Sequence, residues 1–280
     1  MSRRYWRNGL LAGVAAFVAL FGLLSVAAPP LSAPLVDSVY LEEMTWVELR
    51  TAVEHGRTVA IVPTGGTEQG GPHLVLGKHN FIVRETAGRI ARSLGNAVVA
   101  PVMAYVPEGD IDPPTLNMLH PGTLSLPESV FAGLLEATAR SLRAHGFTLI
   151  CFIGDHGLSQ ATQSAVADRL NAEWAGTGAS VLHVGDYYFA NGQVDWLRQQ
   201  GESDAAIGNH AGIRDTSELM ALYPAGVRVD RLAESDGLHL EPTGVVGDPA
   251  RASAERGAIL LDLKVEAAIR QINARLAQGY

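Results

Sequence analysis

The chain has 280 residues, of which 47% are hydrophobic and 18% are charged. This length and composition suffice for one large α/β domain with a buried core. The formal net charge of -8 leaves no basic surface to neutralise phosphates, so nucleic acid is excluded as an expected partner. The one cysteine, Cys151, cannot form an internal disulfide, and the apolar run around it predicts a buried strand residue.

The N-terminal segment has the composition of an export signal. Three arginines among the first seven residues precede an uncharged apolar run over residues 9–28. This run is long for a signal-peptide core and just long enough to span a bilayer. Cleavage near Ala27 or Ala33 and retention as an anchor both stay open. Residues 1–33 are therefore predicted to be a signal peptide or a membrane anchor, which places the protein in the periplasm or outside the cell.

The rest of the chain alternates helix and strand patterns. Capping boxes, in which Thr or Ser is followed three residues later by Glu, predict helices that begin after Thr45 and Ser125. Apolar residues at helical spacing predict another helix over 82–94 and one that ends near Trp174. Four apolar runs predict buried strands, namely 58–62, 97–102, 148–153 and 180–184. Strands separated by helices in this way indicate a mostly parallel sheet that is covered by helices on both faces.

Polar loops follow two of the predicted strands, where parallel α/β sheets usually bind ligands. Glu68, His73 and His79 follow the first of these strands, and His156 follows another, so their side chains could converge on one divalent cation. Spacing alone does not decide this, because loop histidines are more often surface or hydrogen-bonding residues. Residues 109–123 are rich in Pro, Asp and Gly, which predicts a long ordered loop of the kind that carries function.

Four blocks of sequence, in order, resemble those of the creatininase (creatinine amidohydrolase) family. Residues 64–74, Thr-Gly-Gly-Thr-Glu-Gln-Gly-Gly-Pro-His-Leu, resemble the loop that follows a strand in this family. Residues 121–125, Pro-Gly-Thr-Leu-Ser, are similar to its Pro-Gly-Thr segment. The turn 154–157, Gly-Asp-His-Gly, and the block 210–217, which contains His-Ala-Gly and Asp-Thr-Ser, match two further motifs. The resemblance covers roughly residues 40–275 and implies a creatininase-like three-layer α/β sandwich.

The resemblance also implies a metal centre. The metal ligands of the family fall on Glu68, on His79 in place of an aspartate, and on His156. The second cation of the family relies on positions that are Gly70 and Leu158 here, neither of which can ligate through its side chain. We therefore expect one divalent cation per subunit, with zinc the first choice and manganese the second. Its bound water would attack the carbonyl of a small-molecule amide.

Three further residues are candidates for catalysis, each with a simpler alternative. By resemblance His210 protonates the leaving nitrogen, although it could be an ordinary loop histidine. Asp215 either orients His210 or supports the metal site, or it caps a helix. Asp155 acts as a base or an additional ligand, or it accepts backbone N–H groups in a turn. His73 is expected to fix the loop rather than to bind metal.

The sequence thus predicts an exported, metal-dependent amidohydrolase whose catalytic domain spans residues 34–280. Membrane contact is expected only through residues 9–28, and the resemblance implies a homo-oligomer, specifically a hexamer. Two rival hypotheses stay open. The substitutions at Gly70, Leu158 and His79 could mark a non-catalytic binding protein that retains the fold, or the metal could serve structure alone.

Overall fold

The computed structural model describes residues 33–234 and 242–279. The predicted export segment therefore lies almost entirely outside the described residues. Within the described ranges, none of the helices combines the length and apolar character that a membrane span requires.

Four parallel strands form the central sheet. They are β1 (Val59–Thr64), β2 (Ala97–Val99), β3 (Leu149–Gly154) and β4 (Ser180–His183), in the spatial order β2-β1-β3-β4. Each pair of neighbours is parallel, with Val59 opposite Ala97 and Leu149, and Leu149 opposite Ser180. Strands β1, β2 and β3 are buried along their whole length, as expected for a sheet covered on both faces. The predicted parallel α/β architecture is confirmed.

Nine α-helices accompany the sheet in the described part of the chain. They are α1 (Trp46–Glu54), α2 (Lys78–Leu94), α3 (Glu128–Ala144), α4 (Gln160–Glu173), α5 (Asp186–Phe189), α6 (Gln193–Gln199), α7 (Asp204–Ile207), α8 (Ile213–Leu222) and α9 (Ala254–Ala277). Helix α1 begins with the predicted capping box, since Thr45 and Glu48 bond each other's backbone N–H groups. Helix α2 ends at Gly95, whose φ of 75° is a left-handed conformation that favours glycine.

The alternation of side chains along each strand produces two separate cores. One face of the sheet, which includes Ile61 and Cys151, packs against α2 and α9. The other face, which includes Val62 and Phe152, packs against α3 and α4. The result is three layers, with helices on both sides of the sheet. The carboxyl ends of β1 and β3 stay free of these helices and open toward the polar loops.

Three predictions about element boundaries were wrong. Strand β2 ends at Val99 rather than at residue 102. Helix α3 begins after Pro127, because the Ser125 hydroxyl instead donates to the carbonyl oxygen of Gly109 and accepts from the N–H of Glu108. Helix α8 begins after Gly212, so Asp215 does not cap it and lies in its first turn.

Candidate metal centre

A cavity of about 360 Å³ opens at the carboxyl ends of the strands. Its wall comes from the loops after β1 and β3, the long loop before α3, and helices α8 and α9. Titratable side chains dominate its polar lining, namely Glu68, His79, Asp155, His156, His210, Arg214, Asp215, Glu218 and Lys264. The six residues predicted as ligands or catalysts are all among them. The fold therefore brings the predicted site residues together.

The glycine-rich loop after β1 makes room for buried polar groups. A Cβ atom at Gly66, whose φ is 153°, would lie 2.5 Å from Oε1 of Glu108. A Cβ atom at Gly70 would lie 2.9 Å from Cβ of Leu74 and 3.2 Å from Cδ of Lys78. Because glycine has no side chain, these two positions leave the space that Glu108 and Lys78 occupy at the centre of the site.

Glu68 contacts several other side chains of the site, and its carboxylate is fully buried. Its Oε1 accepts from Nζ of Lys78 and lies 2.8 Å from Nε2 of His79 and 3.1 Å from Nε2 of His210. Its Oε2 accepts from the Asn117 amide. Burial alone would raise the pKa of Glu68, but the charges of Lys78 and His156 and the hydrogen bonds to His156 and His210 together outweigh it and lower that pKa well below the usual range. Glu68 is therefore a buried carboxylate that stays ionised.

Glu108 and His156 complete a group that could hold a metal ion, which we call the metal-side cluster (Glu68, Glu108 and His156). One ligand atom from each lies within 4.8 Å of the others, and all three residues are buried. Nε2 of His156 lies 3.1 Å from Oε2 of Glu68 and 2.9 Å from Oε2 of Glu108. Two carboxylates thus face one imidazole nitrogen, which is a donor set suited to a divalent cation.

The electrostatics of this cluster favour a positive charge between the carboxylates. Burial raises the pKa of Glu108, and the nearby charge of Glu68 raises it further. For His156, burial alone would favour the neutral ring, but the charge of Glu68 and the hydrogen bond to Glu108 raise its pKa to about 10. The two carboxylates create a negative potential at the imidazole. Either a proton on the ring or a cation bound by the three groups would compensate for it.

Two atoms of the metal-side cluster lack a hydrogen-bond partner among the described residues. They are Oε1 of Glu108 and Nδ1 of His156, both fully shielded from solvent. Buried polar atoms are normally paired, so Glu108 and His156 have donor and acceptor capacity that the described residues do not use. The atoms of these two residues that face each other, Oε2 of Glu108 and Nε2 of His156, are the ones suited to a cation. The residues present therefore fit a divalent metal ion.

A second cluster of buried charge, the lysine network (Asp155, Glu218 and Lys264), lines the same cavity. Nζ of Lys264 on α9 lies 2.6 Å from Oδ1 of Asp155 and 2.9 Å from Oε2 of Glu218. Oδ1 of Asp155 also accepts from the Tyr187 hydroxyl at 2.9 Å, and its Oδ2 lies 2.7 Å from Nδ1 of His79. Asp155 thus bonds side chains, not the turn amides that the alternative prediction required.

His79 connects the two clusters. Its Nδ1 faces Asp155 and its Nε2 faces Glu68, so both ring nitrogens meet carboxylates. Burial and the charge of Lys78 would lower the pKa of His79, but the hydrogen bonds to the two carboxylates outweigh them and raise it. This arrangement suits a doubly donating imidazolium. The metal-ligand role of His79 stays a prediction, and the cluster of three ligands that the structure brings together contains Glu108 instead.

His210 and Asp215 lie at the other edge of the site. Nδ1 of His210 is 2.8 Å from the carbonyl oxygen of Gly244 and must donate to it, which leaves Nε2 directed at Glu68. Oδ2 of Asp215 accepts from the N–H of Ala211, next to His210. Burial would raise the pKa of Asp215, but the charges of His79 and Lys78 lower it. Asp215 thus fixes the backbone that carries His210.

Sequence reasoning missed Glu108, Lys78 and Lys264. His73, by contrast, behaves as predicted, since its Nε2 lies 3.1 Å from the carbonyl oxygen of Ala211 and ties two loops together. One feature of the sequence could have indicated Glu108. It stands at the start of the long loop that follows β2, and because β2 lies next to β1 in the sheet, this loop begins near the loop that carries Glu68. Lys78 and Lys264 gave no signal, since each is one residue of an ordinary amphipathic helix.

An α/β sheet whose strand ends carry buried carboxylate and imidazole groups around a cavity is typical of an α/β enzyme, and these groups could hold a metal ion. The sequence profile of the family described as "Creatininase: Creatinine amidohydrolase" matches residues 42–272. The chain therefore belongs to the creatininase family and is an amidohydrolase of that family. The resemblance recognised in the sequence is confirmed.

Individual relatives agree with this assignment. The chain is 27% identical to a creatinine amidohydrolase of Pseudomonas putida over 247 residues, which cover 82% of this chain and 94% of the relative. It is 28% identical to a mycofactocin precursor peptide peptidase of Mycolicibacterium smegmatis over 219 residues, covering 71% and 78%.

Solved creatininase structures share the fold. One described as "Creatininase Mn" has a TM-score of 0.71 at 25% identity and covers 85% of this chain and 99% of its own. A mutant of Zn-Zn type has a TM-score of 0.70 at 24% identity and covers 86% and 99%. Both a manganese and a zinc form thus occur among the structural neighbours.

Proposed function

We propose that this protein hydrolyses an amide-type C–N bond of a small molecule with the help of one divalent cation, zinc or manganese. The observation that carries the proposal is the metal-side cluster, in which two buried carboxylates and an imidazole face one point beside a cavity of small-molecule size. We take Glu68, Glu108 and His156 as the residues that would hold the ion. When bound, such an ion activates water and polarises a carbonyl.

The remaining residues of the site would position the reactants and move protons. In hydrolysis one C–N bond breaks, one C–O bond forms, and the nitrogen must gain a proton to leave. His210 is suited to deliver that proton, because Nδ1 is fixed by Gly244 and Nε2 faces the cavity. Asp155 and Lys264 hold His79 in place beside Glu68.

Lys78 supports a site with a single metal ion. Its ammonium group is fully buried, donates to Glu68, and lies 3.3 Å from the carbonyl oxygen of Gln69. Burial would lower the pKa of Lys78, but the charge of Glu68 raises it, so the lysine stays positive. Oε1 of Glu68 therefore already faces a positive charge supplied by the protein itself. Its other oxygen, Oε2, accepts from the Asn117 amide and faces His156, on the side where the cation would bind.

The location outside the cytoplasm is part of the proposal and rests on the arginine-flanked apolar run at the N-terminus. A hexameric assembly is proposed from the family resemblance alone. Fractionation of cells that produce the full chain, with N-terminal sequencing of the product, tests export and separates cleavage from anchoring. Light scattering of the purified protein tests the assembly.

Metal analysis combined with turnover tests the proposed chemistry. The purified chain should hold about one zinc or manganese per subunit, lose turnover of short amides and lactams on chelation, and regain it when the ion returns. A non-catalytic binding protein would show no turnover with any added metal. If the metal served structure alone, turnover would survive in any chelated protein that stays folded, so retained thermal stability with lost turnover argues against that hypothesis.

A further inference from the structure

One cation on the cavity wall forms no hydrogen bond or ion pair with the described residues. Arg214 lies in the first turn of α8, is half-buried, and lines the cavity. Among the residues that the structure describes, its guanidinium group forms neither a hydrogen bond nor an ion pair. Lys264, which also lines this cavity, is held by two carboxylates. An unpaired guanidinium in a concave site is available to a ligand, and its planar fork matches a carboxylate.

Tyr188 provides a second polar group close to Arg214. Its side chain also lines the cavity, and its hydroxyl would lie 2.8 Å from a Cβ atom at Gly157, the residue after His156. The hydroxyl is therefore next to the turn that carries a metal-side histidine. Tyr188 and Arg214 also line a second, neighbouring cavity together. Burial and the charge of Asp215 raise the pKa of Tyr188, while the charge of Arg214 lowers it. Tyr188 keeps its proton and can donate to an anion.

The acidic residues of the wall do not cancel this positive feature. Asp155 and Glu218 are both bound by Lys264. Asp215 follows Arg214 in the chain, and its carboxylate accepts from the N–H of Ala211. The charges of His79 and Lys78 act on it more strongly than that of Arg214, and no ion pair joins it to Arg214 among the described residues. The guanidinium of Arg214 thus lines the cavity without a hydrogen-bonded or ion-paired counter-ion among the described residues.

We infer that Arg214, assisted by Tyr188, binds a free carboxylate of the substrate, so that the preferred substrates are small amides that also carry a free carboxylate, such as N-acyl amino acids. This inference rests on the proposed function and specifies its substrate class. A carboxylate held at Arg214 would orient the amide of the same molecule toward the metal-side cluster. Water cleaves that amide to an acid and an amino acid, and the amine nitrogen takes up the proton. A cavity of about 360 Å³ accommodates a molecule of this size.

Matched pairs of substrates test the inference on the full chain loaded with metal. Each pair consists of an N-acyl amino acid and its neutral carboxamide, for example N-acetylglycine with N-acetylglycinamide and N-benzoylglycine with its amide. We expect kcat/KM for the acid to exceed that for the carboxamide by about 100-fold, since losing one partner of a buried charge pair has an effect of this order. Arg214→Met should remove the difference mainly through KM, and Tyr188→Phe should reduce it by a few fold.

Two controls separate this inference from the proposed function. Arg270→Met removes an exposed arginine of α9 that pairs only at the surface with Glu266, and it should leave the ratio of acid to carboxamide unchanged. Metal content of Arg214→Met should equal that of the unaltered protein. Calorimetry of N-acetylglycine binding to the chelated protein provides a readout that does not depend on turnover.

The outcomes are distinguishable. If neutral carboxamides are hydrolysed as well as the acids, or if Arg214→Met affects both alike, the inference is overturned while the proposed function stands. A second outcome is that no member of any pair is hydrolysed, while the chelated protein binds the acid and the chelated Arg214→Met variant does not. In that case the proposed function fails and the carboxylate site stands. Equal binding of acid and carboxamide to the chelated protein overturns the inference in either case.

Discussion

The metal-side cluster and the lysine network are two groups of buried charge that share one cavity, and they differ in how completely they are paired. In the lysine network, both oxygens of Asp155 and of Glu218 have partners, and Lys264 binds both residues. In the metal-side cluster, Oε1 of Glu108 and Nδ1 of His156 have none among the described residues. Removing one member of a completely paired buried group leaves its partners uncompensated and destabilises the fold, whereas an incompletely paired group has capacity for a ligand.

The largest expected effect tests the metal-side cluster. His156→Ala should lose the bound metal and reduce turnover on the order of 1000-fold, because the ion can no longer polarise the amide. Elemental analysis and kinetics measure both quantities. His145→Ala, at an exposed helix end, is the matched control and should keep full metal content and turnover. Full metal content in His156→Ala would contradict the assignment of this cluster.

The second prediction tests the lysine network. Lys264→Met leaves two carboxylates buried without their cation, and breaking such a buried pair costs about 3–5 kcal/mol of the free energy of unfolding. Denaturant unfolding of the metal-free protein measures it. Arg270→Met on the same helix removes an exposed pair and should change the free energy by less than about 1 kcal/mol.

A rescue experiment sharpens the second prediction. If pairing is the function of Lys264, then the double variant Lys264→Met with Glu218→Gln should recover part of the lost stability, because one unpaired charge is removed. A Lys264→Met protein as stable as the unaltered chain would mean that the network carries little of the fold's stability.

The sequence predicted the fold well because its signals are local. The capping box at Thr45, the stop at Gly95 and the apolar strand runs each specify an element through neighbouring residues. The predicted capping box at Ser125 was wrong because that hydroxyl bonds the loop at Glu108 and Gly109 instead. Residue spacing shows that a hydroxyl could bond a nearby helix N–H, but it does not show whether a partner farther along the chain binds that hydroxyl instead.

The site was predictable only in the part that carries motif residues. Glu68 and His156 stand in recognisable blocks, and the parallel sheet places both at its carboxyl edge. Glu108 enters the site through the path of a long loop and through the space left by Gly66, which depend on tertiary structure. Lys264 lies 109 residues from Asp155 along the chain, so their pairing was likewise invisible in the sequence.

The third prediction concerns pH and His73, which pairs the loops beside the metal-side cluster. Burial lowers its pKa from 6.5 to about 4, so the folded protein holds the ring neutral while the unfolded chain binds a proton below pH 6.5. Stability from this residue is therefore present above pH 6.5 and is lost as the pH falls toward 4, by about 2–3 kcal/mol. The free energy of unfolding, measured across this pH range, should depend less steeply on pH in His73→Gln than in the unaltered protein. An unchanged slope would refute the assignment.

The smallest expected effect decides between His79 and Glu108 as the third ligand. If His79 is an imidazolium that bridges Glu68 and Asp155, then His79→Gln, which can still donate to a carboxylate, should weaken metal binding only about 10-fold, as changes next to a ligand do. Glu108→Gln should weaken it far more, because a ligand oxygen is replaced by an amide. The reverse order, measured by competition with a chromogenic chelator, would assign the ion to the loop and helix start that carry Glu68 and His79. Since His79 contacts both Asp155 and Glu68, that result would also make the lysine network part of the metal site.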